Sequence, residues 1–262
     1  MCRHLGYLGP PVPLADLLLN HPHSLERQSW APADMRGGGT INADGFGVGW
    51  YAPGQPEPAR YRRTVPIWAD ADLPRLARVI SSGAVLAAVR SGTIGMPVVE
   101  TACAPFTDGP WLFSHNGVVA GWPDSLAGLA ATLPVTELLS LDAPTDSALL
   151  WALARHRLRR GDPPGQVLAW LVERVAEDAP NSRLNLMLTD GHVLAATAWT
   201  HALSVLRTPE AVVVASEPWD DDPGWRAVAE GHLVVARAGT ATGAATVDIV
   251  PIGVDHTQRR TG

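Results

Sequence analysis

The second residue, Cys2, directly follows the initiator methionine. Met1 is expected to be removed, because the residue behind it is small, and Cys2 then becomes the N-terminus. A free α-amine titrates near pH ~7.7–8.0, within reach of a thiol whose ordinary pKa is ~8.5. Nucleophile and base then sit on one residue, the logic of an N-terminal nucleophile. Three further segments carry groups that such an attack needs. Arg90, in V-R-S-G-T, places a fixed guanidinium at the end of an apolar run. Asn116-Gly117, in S-H-N-G, sets a side-chain amide beside a glycine N–H, the two donors of an oxyanion hole. Asp146, in T-D-S, sets a carboxylate at the start of a helical stretch. Each group also has an ordinary reading: Arg90 in an ion pair, Asn116-Gly117 as a hairpin turn, Asp146 as a helix cap.

Elements able to position these groups follow from periodicity. Short helices are expected over Leu14–Leu19 and Asp124–Ala131, and longer ones over Asp70–Ser81, Ser147–Arg160 (capped by Thr145) and Gln166–Ala179. Gly45–Ala52 alternates glycine with Phe46, Val48 and Trp50, which reads as a strand whose backbone is closely approached. It forms a hairpin with a strand near Arg60–Val65. Val85–Val89 runs as a buried strand into Arg90, and Trp111–Ser114 is a strand that the pair Asn116-Gly117 ends in a turn. The last third supplies short apolar runs at Leu184–Leu188, Val193–Ala198, Leu203–Leu206, Val212–Ala215, Leu233–Ala236 and Val247–Val250. Strands, then two adjacent helices, then strands again imply an α+β fold of two sheets with helices outside, in one domain over residues 2–262.

Composition narrows the function. The chain has 262 residues and a formal net charge of −6, and its 20 basic residues are all arginine. Without lysine there is no P-loop Gly-Lys-Ser/Thr, no Schiff-base chemistry and no lysine base. The basic cluster Arg155–Arg160 reads as a solvated helix end, and an acidic protein with one such stretch is a poor nucleic-acid ligand. No run approaches the ~18 apolar residues of a membrane span, and no secretory signal precedes the first strand. A cytoplasmic protein is expected. Cys2 and Cys103 are too few for a disulfide framework or a tetrathiolate zinc site, and His21 and His23 around Pro22 are a weak metal signal. No metal or organic cofactor is called for.

Taken together and in this order, the N-terminal Cys, the Arg-x-x-Thr segment, the His-Asn-Gly segment and the Thr-Asp helix start resemble the glutaminase domain of class II glutamine amidotransferases. The resemblance implies the four-layer αββα sandwich of N-terminal-nucleophile (Ntn) hydrolases. It implies that Cys2 is the nucleophile with its own α-amine as base, and that Asn116 and Gly117 form the oxyanion hole. Arg90 would bind a substrate α-carboxylate and Asp146 its α-ammonium, with Ser91 and Thr93 lining the same pocket. A γ-glutamyl head carries one charge of each sign, and the planar guanidinium fork suits its carboxylate. Two departures stand out. Ile94-Gly95 replaces the usual His-Gly, and T-A-C-A-P replaces a stretch that usually ends Ala-His-Pro, so Cys103 has no counterpart and reads as a small buried residue.

Three segments, M-C-R-H-L-G-Y-L-G, M-R-G-G-G-T-I-N-A-D-G-F-G-V-G-W-Y and S-E-P-W-D-D-D-P-G-W, are similar to the γ-glutamyl amidases of ergothioneine biosynthesis. That similarity implies cleavage of γ-glutamyl-hercynylcysteine sulfoxide to glutamate and hercynylcysteine sulfoxide through a thioester on Cys2. The small-molecule substrate carries a trimethylammonium group, and tryptophan faces attract such cations. One or two of Trp30, Trp50, Trp219 and Trp225 are therefore expected to face the leaving group. The chain holds no synthase domain to receive ammonia, which favours a stand-alone hydrolase. A glutaminase subunit of an amidotransferase, or a non-enzymatic thiol or ligand-binding module, stays open, as does assembly into a homodimer.

Overall fold

The structure, a computed structural model, describes residues 2–36 and 41–253. Met1, whose removal is expected, and residues 37–40 of the glycine-rich segment lie outside the described residues.

The chain opens with a long strand, β1 (Arg3–Pro13), followed by α1 (Leu14–Leu18) and α2 (Leu25–Gln28). A hairpin of β2 (Phe46–Trp50) and β3 (Ala59–Arg63) leads through α3 (Leu73–Val79) into β4 (Ser81–Val89). Next come β5 (Phe106–Asp108), β6 (Trp111–Val118), and four helices: α4 (Ala127–Ala130), α5 (Val135–Leu139), α6 (Asp146–Leu158) and α7 (Pro164–Asp178). The strands β7 (Arg183–Thr189), β8 (Leu194–Ala198), β9 (Ser204–Arg207), β10 (Val212–Ala215), β11 (Arg226–Ala227), β12 (His232–Arg237) and β13 (Thr246–Pro251) complete the described chain.

The strands form two antiparallel sheets. The first is seven-stranded, in the order β11-β9-β10-β1-β4-β2-β3, and the second six-stranded, in the order β13-β12-β8-β7-β6-β5. Leu14, Leu17 and Leu18 of α1 and Leu73 and Ala77 of α3 cover the outer face of the first sheet, against Leu5, Phe46, Val48 and Val85. The helices α6 and α7 cover the second, with Trp151 and Leu168 against Phe113 and Leu186. Between the sheets, Leu8 and Leu86 meet Leu112, Met187 and Leu194. This is the expected order of layers, helix, sheet, sheet, helix.

The glycine alternation in β2 has the expected cause. A side chain at Gly49 would come within 2.7 Å of Leu112 on the facing sheet, and one at Gly47 would strike the Ala104 carbonyl oxygen. Phe46 and Val48, on the opposite face, pack on the helices.

Two expectations are corrected. Asn116-Gly117 is not a turn: β6 runs through it, with Asn116 opposite Asn185 and Gly117 opposite Leu184. Asn-Gly favours a reversal only where the chain is free to turn, and here a full ladder to β7 holds it extended. The strand β1, unassigned in the sequence, is the central strand of the first sheet, paired with β4 and β10. The basic end of α6 is also more than a solvated stretch. Arg155 and His156 pair with Glu137, Arg157 with Asp162 and Arg159 with Asp108.

Candidate active site

The site lies where the N-terminal end of β1 meets the end of β4 in one sheet and β6 in the other. Arg3 is opposite Val89, and Val89 is opposite Phe46, so Cys2 and Arg90 leave adjacent strands side by side. The Cys2 Sγ lies 3.7 Å from the Ser91 carbonyl oxygen. Cys2, Arg90, His115 and Ser147 are the reactive and polar side chains around one cavity, whose apolar wall includes Val89, Ala102 and Phe106. Its empty volume, including the open solvent at its mouth, is about 310 Å³.

Buried polar contacts hold the Cys2 end of β1 in place. Arg3 and Glu217, each 2% exposed, form an ion pair at 2.8 Å. Glu217 also accepts from His23 Nε2 and from the Ala33 N–H, both at 2.7 Å, and Arg3 donates to the Asp34 carbonyl at 2.7 Å. Burial alone would raise the Glu217 carboxyl, but His23, Arg3 and the Ala33 N–H outweigh it and hold it below the usual carboxylate range.

Arg90 is 9% exposed, and its guanidinium donates to backbone carbonyls, Pro97 at 3.0 Å and Asp44 at 3.5 Å, rather than to a carboxylate. The Asp44 carboxylate instead accepts the Gly92 N–H at 2.7 Å, and the Asp44 N–H donates to the Arg90 carbonyl at 3.0 Å. Asp44, which the sequence reading did not single out, thereby ties the loop after Arg90 to the start of β2. Within that loop Ser91 faces Cys2 with its carbonyl, whereas Thr93 is exposed and does not border the cavity.

Asn116 is completely buried, and its Nδ2 donates to Ser216 Oγ at 3.2 Å. Ser216, just past β10, also accepts the His4 N–H at 3.0 Å, so the amide is oriented from the opposite sheet. Gly117 must be glycine, because a Cβ there would strike the Arg183 carbonyl oxygen and come within 2.6 Å of His115 Nε2. Asp146 is 3% exposed at the first turn of α6, and Thr145 caps that helix as expected, accepting from the Ala148 N–H at 3.2 Å. The Asp146 carboxylate accepts the Val119 N–H at 2.9 Å and the Ser147 N–H at 2.7 Å. Asp146 is not among the residues lining the cavity, whereas Ser147, the next residue, is.

Two buried histidines flank this network. His4 bonds Ser114 Oγ at 3.3 Å through Nδ1, and its pKa falls to about 3 through burial and the neighbouring His115, His201 and Arg3. His201 falls to about 3 as well, through burial and the Arg183 and Arg3 charges. Both rings are neutral at physiological pH. Cys103 is fully buried, its Sγ 3.4 Å from the Arg63 carbonyl oxygen, and burial pushes its pKa up to about 11. A thiol in that state is a poor nucleophile.

None of the four tryptophans considered for a cation borders the cavity. Trp50 lies four residues along β2 from Phe46, roughly 13 Å at the strand rise. Trp219 stacks on His21 at 4.3 Å and meets Trp225 edge-on at 5.6 Å. Trp30 packs edge-on against Trp68, with the Arg27 guanidinium 5.5 Å from its ring.

Comparison with known proteins places this geometry. Residues 17–210 match the model of the class II glutamine amidotransferases. The chain belongs to that family. Among its class II relatives, the γ-glutamyl-hercynylcysteine sulfoxide hydrolase of Mycolicibacterium smegmatis is 44% identical over 238 residues, which is 90% of this chain and 96% of that protein. The protein of the same name from Mycobacterium tuberculosis is 41% identical over 235 residues, 89% of this chain and 92% of that protein. A solved class II domain protein from Silicibacter pomeroyi superposes with a TM-score of 0.65 at 26% identity, over 96% of this chain and 99% of that one. The glutamine phosphoribosylpyrophosphate amidotransferase of B. subtilis shares the class II fold, with a TM-score of 0.65 at 14% identity over 97% of this chain and 50% of its own.

Three contributors to this class II site escaped the sequence reading: His115, Ser147 and Asp44. The first two are immediate neighbours of residues singled out for other reasons. The signal for Asp44 lay in its place between a glycine-rich run and the alternating strand.

Proposed function

We propose that the protein is an amidohydrolase that cleaves the γ-glutamyl amide of γ-glutamyl-hercynylcysteine sulfoxide, giving glutamate and hercynylcysteine sulfoxide. The observation that carries the reading is the 44% identity, over 90% of the chain, to a hydrolase named for that substrate. The reading places the protein in the cytoplasm, where its thiol stays reduced. Among the described residues no helix is long and apolar enough to cross a membrane.

In this reading Met1 is removed and the Cys2 α-amine takes the thiol proton, directly or through water. The thiolate attacks the γ-carbonyl carbon. The oxyanion is stabilised by the Asn116 side chain and the Gly117 N–H, donors of a kind whose individual loss costs ~3–4 kcal/mol of transition-state stabilisation. Collapse expels the amine of hercynylcysteine sulfoxide, which takes up a proton, and leaves a γ-glutamyl thioester on Cys2. Water then attacks the thioester, releasing glutamate and restoring the thiol. Arg90 binds the α-carboxylate. Asp146 supplies negative charge for the α-ammonium, because a carboxylate has about four lone-pair sites and two N–H groups leave some free. Ser91 and Thr93 belong to the loop that carries Arg90 over the substrate.

The test is a single-turnover assay with the γ-glutamyl sulfoxide. Wild-type protein releases one equivalent of glutamate per site, Cys2→Ala binds substrate without releasing any, and intact mass shows that the active protein lacks Met1. Glutamate release by Cys2→Ala, or full activity with Met1 retained, would overturn the reading.

A further inference from the structure

The Ser147–His115 pair defines an acceptor that the roles assigned above leave unused. His115 Nε2 lies 2.9 Å from the Arg183 carbonyl oxygen. A carbonyl only accepts, so Nε2 carries a ring proton, and in the tautomer with that single ring proton Nδ1 is a lone pair. Nδ1 lies 2.9 Å from Ser147 Oγ, and the serine hydroxyl is the donor in that bond. Its single proton is shared between this bond and the longer one of 3.3 Å to Asp146 Oδ1, so it points into the protein. Ser147 lines the cavity, and these bonds leave its Oγ with free lone pairs beside the Asp146 carboxylate.

Among the described residues, no further group donates to Ser147 Oγ. Of the reactive and polar side chains around the cavity, Cys2 is the nucleophile, Arg90 is a cation, and His115 has both nitrogens engaged. A γ-glutamyl head brings a carboxylate for Arg90 and an α-ammonium that needs acceptors. Asp146 provides charge from behind the wall, and Ser147 is the side-chain oxygen at the wall itself.

We propose that Ser147 Oγ is a direct hydrogen-bond acceptor for the substrate α-ammonium, with His115 as the positioning residue that locks the hydroxyl proton away from the cavity. This rests on the γ-glutamyl reading of the site and deepens it. The pair makes the enzyme selective for γ-amides of an α-amino acid over amides of the same acid lacking the amino group.

The experiment compares the γ-glutamyl sulfoxide with its glutaryl counterpart, which has the same leaving group and α-carboxylate but no α-ammonium. Ser147→Ala is expected to raise KM for the γ-glutamyl substrate about tenfold and to leave the glutaryl substrate within twofold of wild type. His115→Phe, which removes the nearer acceptor and leaves the hydroxyl proton only the 3.3 Å contact to Asp146 Oδ1, should show a weaker loss of the same one-sided kind, and Ser147→Thr should keep wild-type discrimination. An equal loss on both substrates, or no loss on either, would overturn the assignment. If Ser147→Ala fails to fold, His115→Phe and Ser147→Thr decide by the same substrate ratio. Should wild-type protein cleave neither compound, the amidohydrolase reading fails. The Ser147 role is then decided by calorimetric binding of L-glutamate against glutarate, where only L-glutamate should weaken in Ser147→Ala.

Discussion

Ser216 sets the aim of the Asn116 amide, the proposed oxyanion donor. Its Oγ accepts both the His4 N–H at 3.0 Å and the Asn116 amide at 3.2 Å, in a region where neither donor reaches water. Ser216→Ala should therefore act twice. It leaves two buried donors unpartnered, at a cost of ~1–3 kcal/mol of stability for each buried group left without a partner. It also releases the amide from its orientation, and a donor needed only when charge develops affects kcat rather than KM. Steady-state kinetics on the γ-glutamyl sulfoxide should show kcat reduced about tenfold with KM little changed, together with a lower Tm. An unchanged kcat would mean that the β6 backbone alone aims Asn116.

At the scale of elements, the placement of Arg90, the arginine proposed to bind the substrate carboxylate, depends on how β4 ends. Val89 is the last residue of the strand, and the segment beyond it is fastened to the start of β2 by Asp44 through the Gly92 N–H and the Arg90 carbonyl. Asp44→Ala removes a charge-assisted bond from a half-buried site. It should raise KM about tenfold while kcat falls less, because in the proposed mechanism Arg90 holds the same carboxylate in ground and transition states. Stopped-flow binding separates the two, and equal losses in kcat and kcat/KM would place Asp44 in the chemical step instead. The same strand ends show how much was legible beforehand. The strand leading into Arg90 and the Thr145 cap of α6 were readable, because burial and capping leave local marks. The helix expected from Asp70 starts at Leu73 because the Asp70 carboxylate accepts the Asp72 and Leu73 N–H groups at 3.0 and 2.8 Å, capping the turn from outside. Neither β1 nor the continuity of β6 could be read locally. The first contains Gly6, Gly9, Pro10 and Pro11 and is a strand because β4 and β10 pair with it. The second passes through Asn-Gly because β7 requires it. Ser147 and His115 were missed for the same reason, since their bond joins residues 32 positions apart.

For the whole molecule, the proposed mechanism requires the two sheets to stay in register, since Cys2 and Arg90 come from one and Asn116, Gly117 and His115 from the other. The seam near the site is polar and contains His4 and His201, both neutral, with folded pKa values of about 3 against an ordinary 6.5. A histidine whose folded pKa is depressed stabilises the native state above its unfolded pKa. That contribution is lost as pH falls from 6.5 toward 3, because the unfolded chain binds the protons that the folded one refuses. Between pH 7.5 and pH 5 each ring should cost roughly 2 kcal/mol, a large share of the 5–15 kcal/mol typical of a folded domain. Glu137 and Glu217, held below the usual carboxylate range, stay ionised through this window and weaken the fold only at lower pH. Urea denaturation at pH 7.5 and pH 5 should therefore show a stability drop that is much smaller in a His4→Gln/His201→Gln variant, whatever that variant's absolute stability. Equal stability of the wild-type protein at the two pH values would show that the seam admits the protons, and that the sheets are not held together by a pair of uncharged imidazoles.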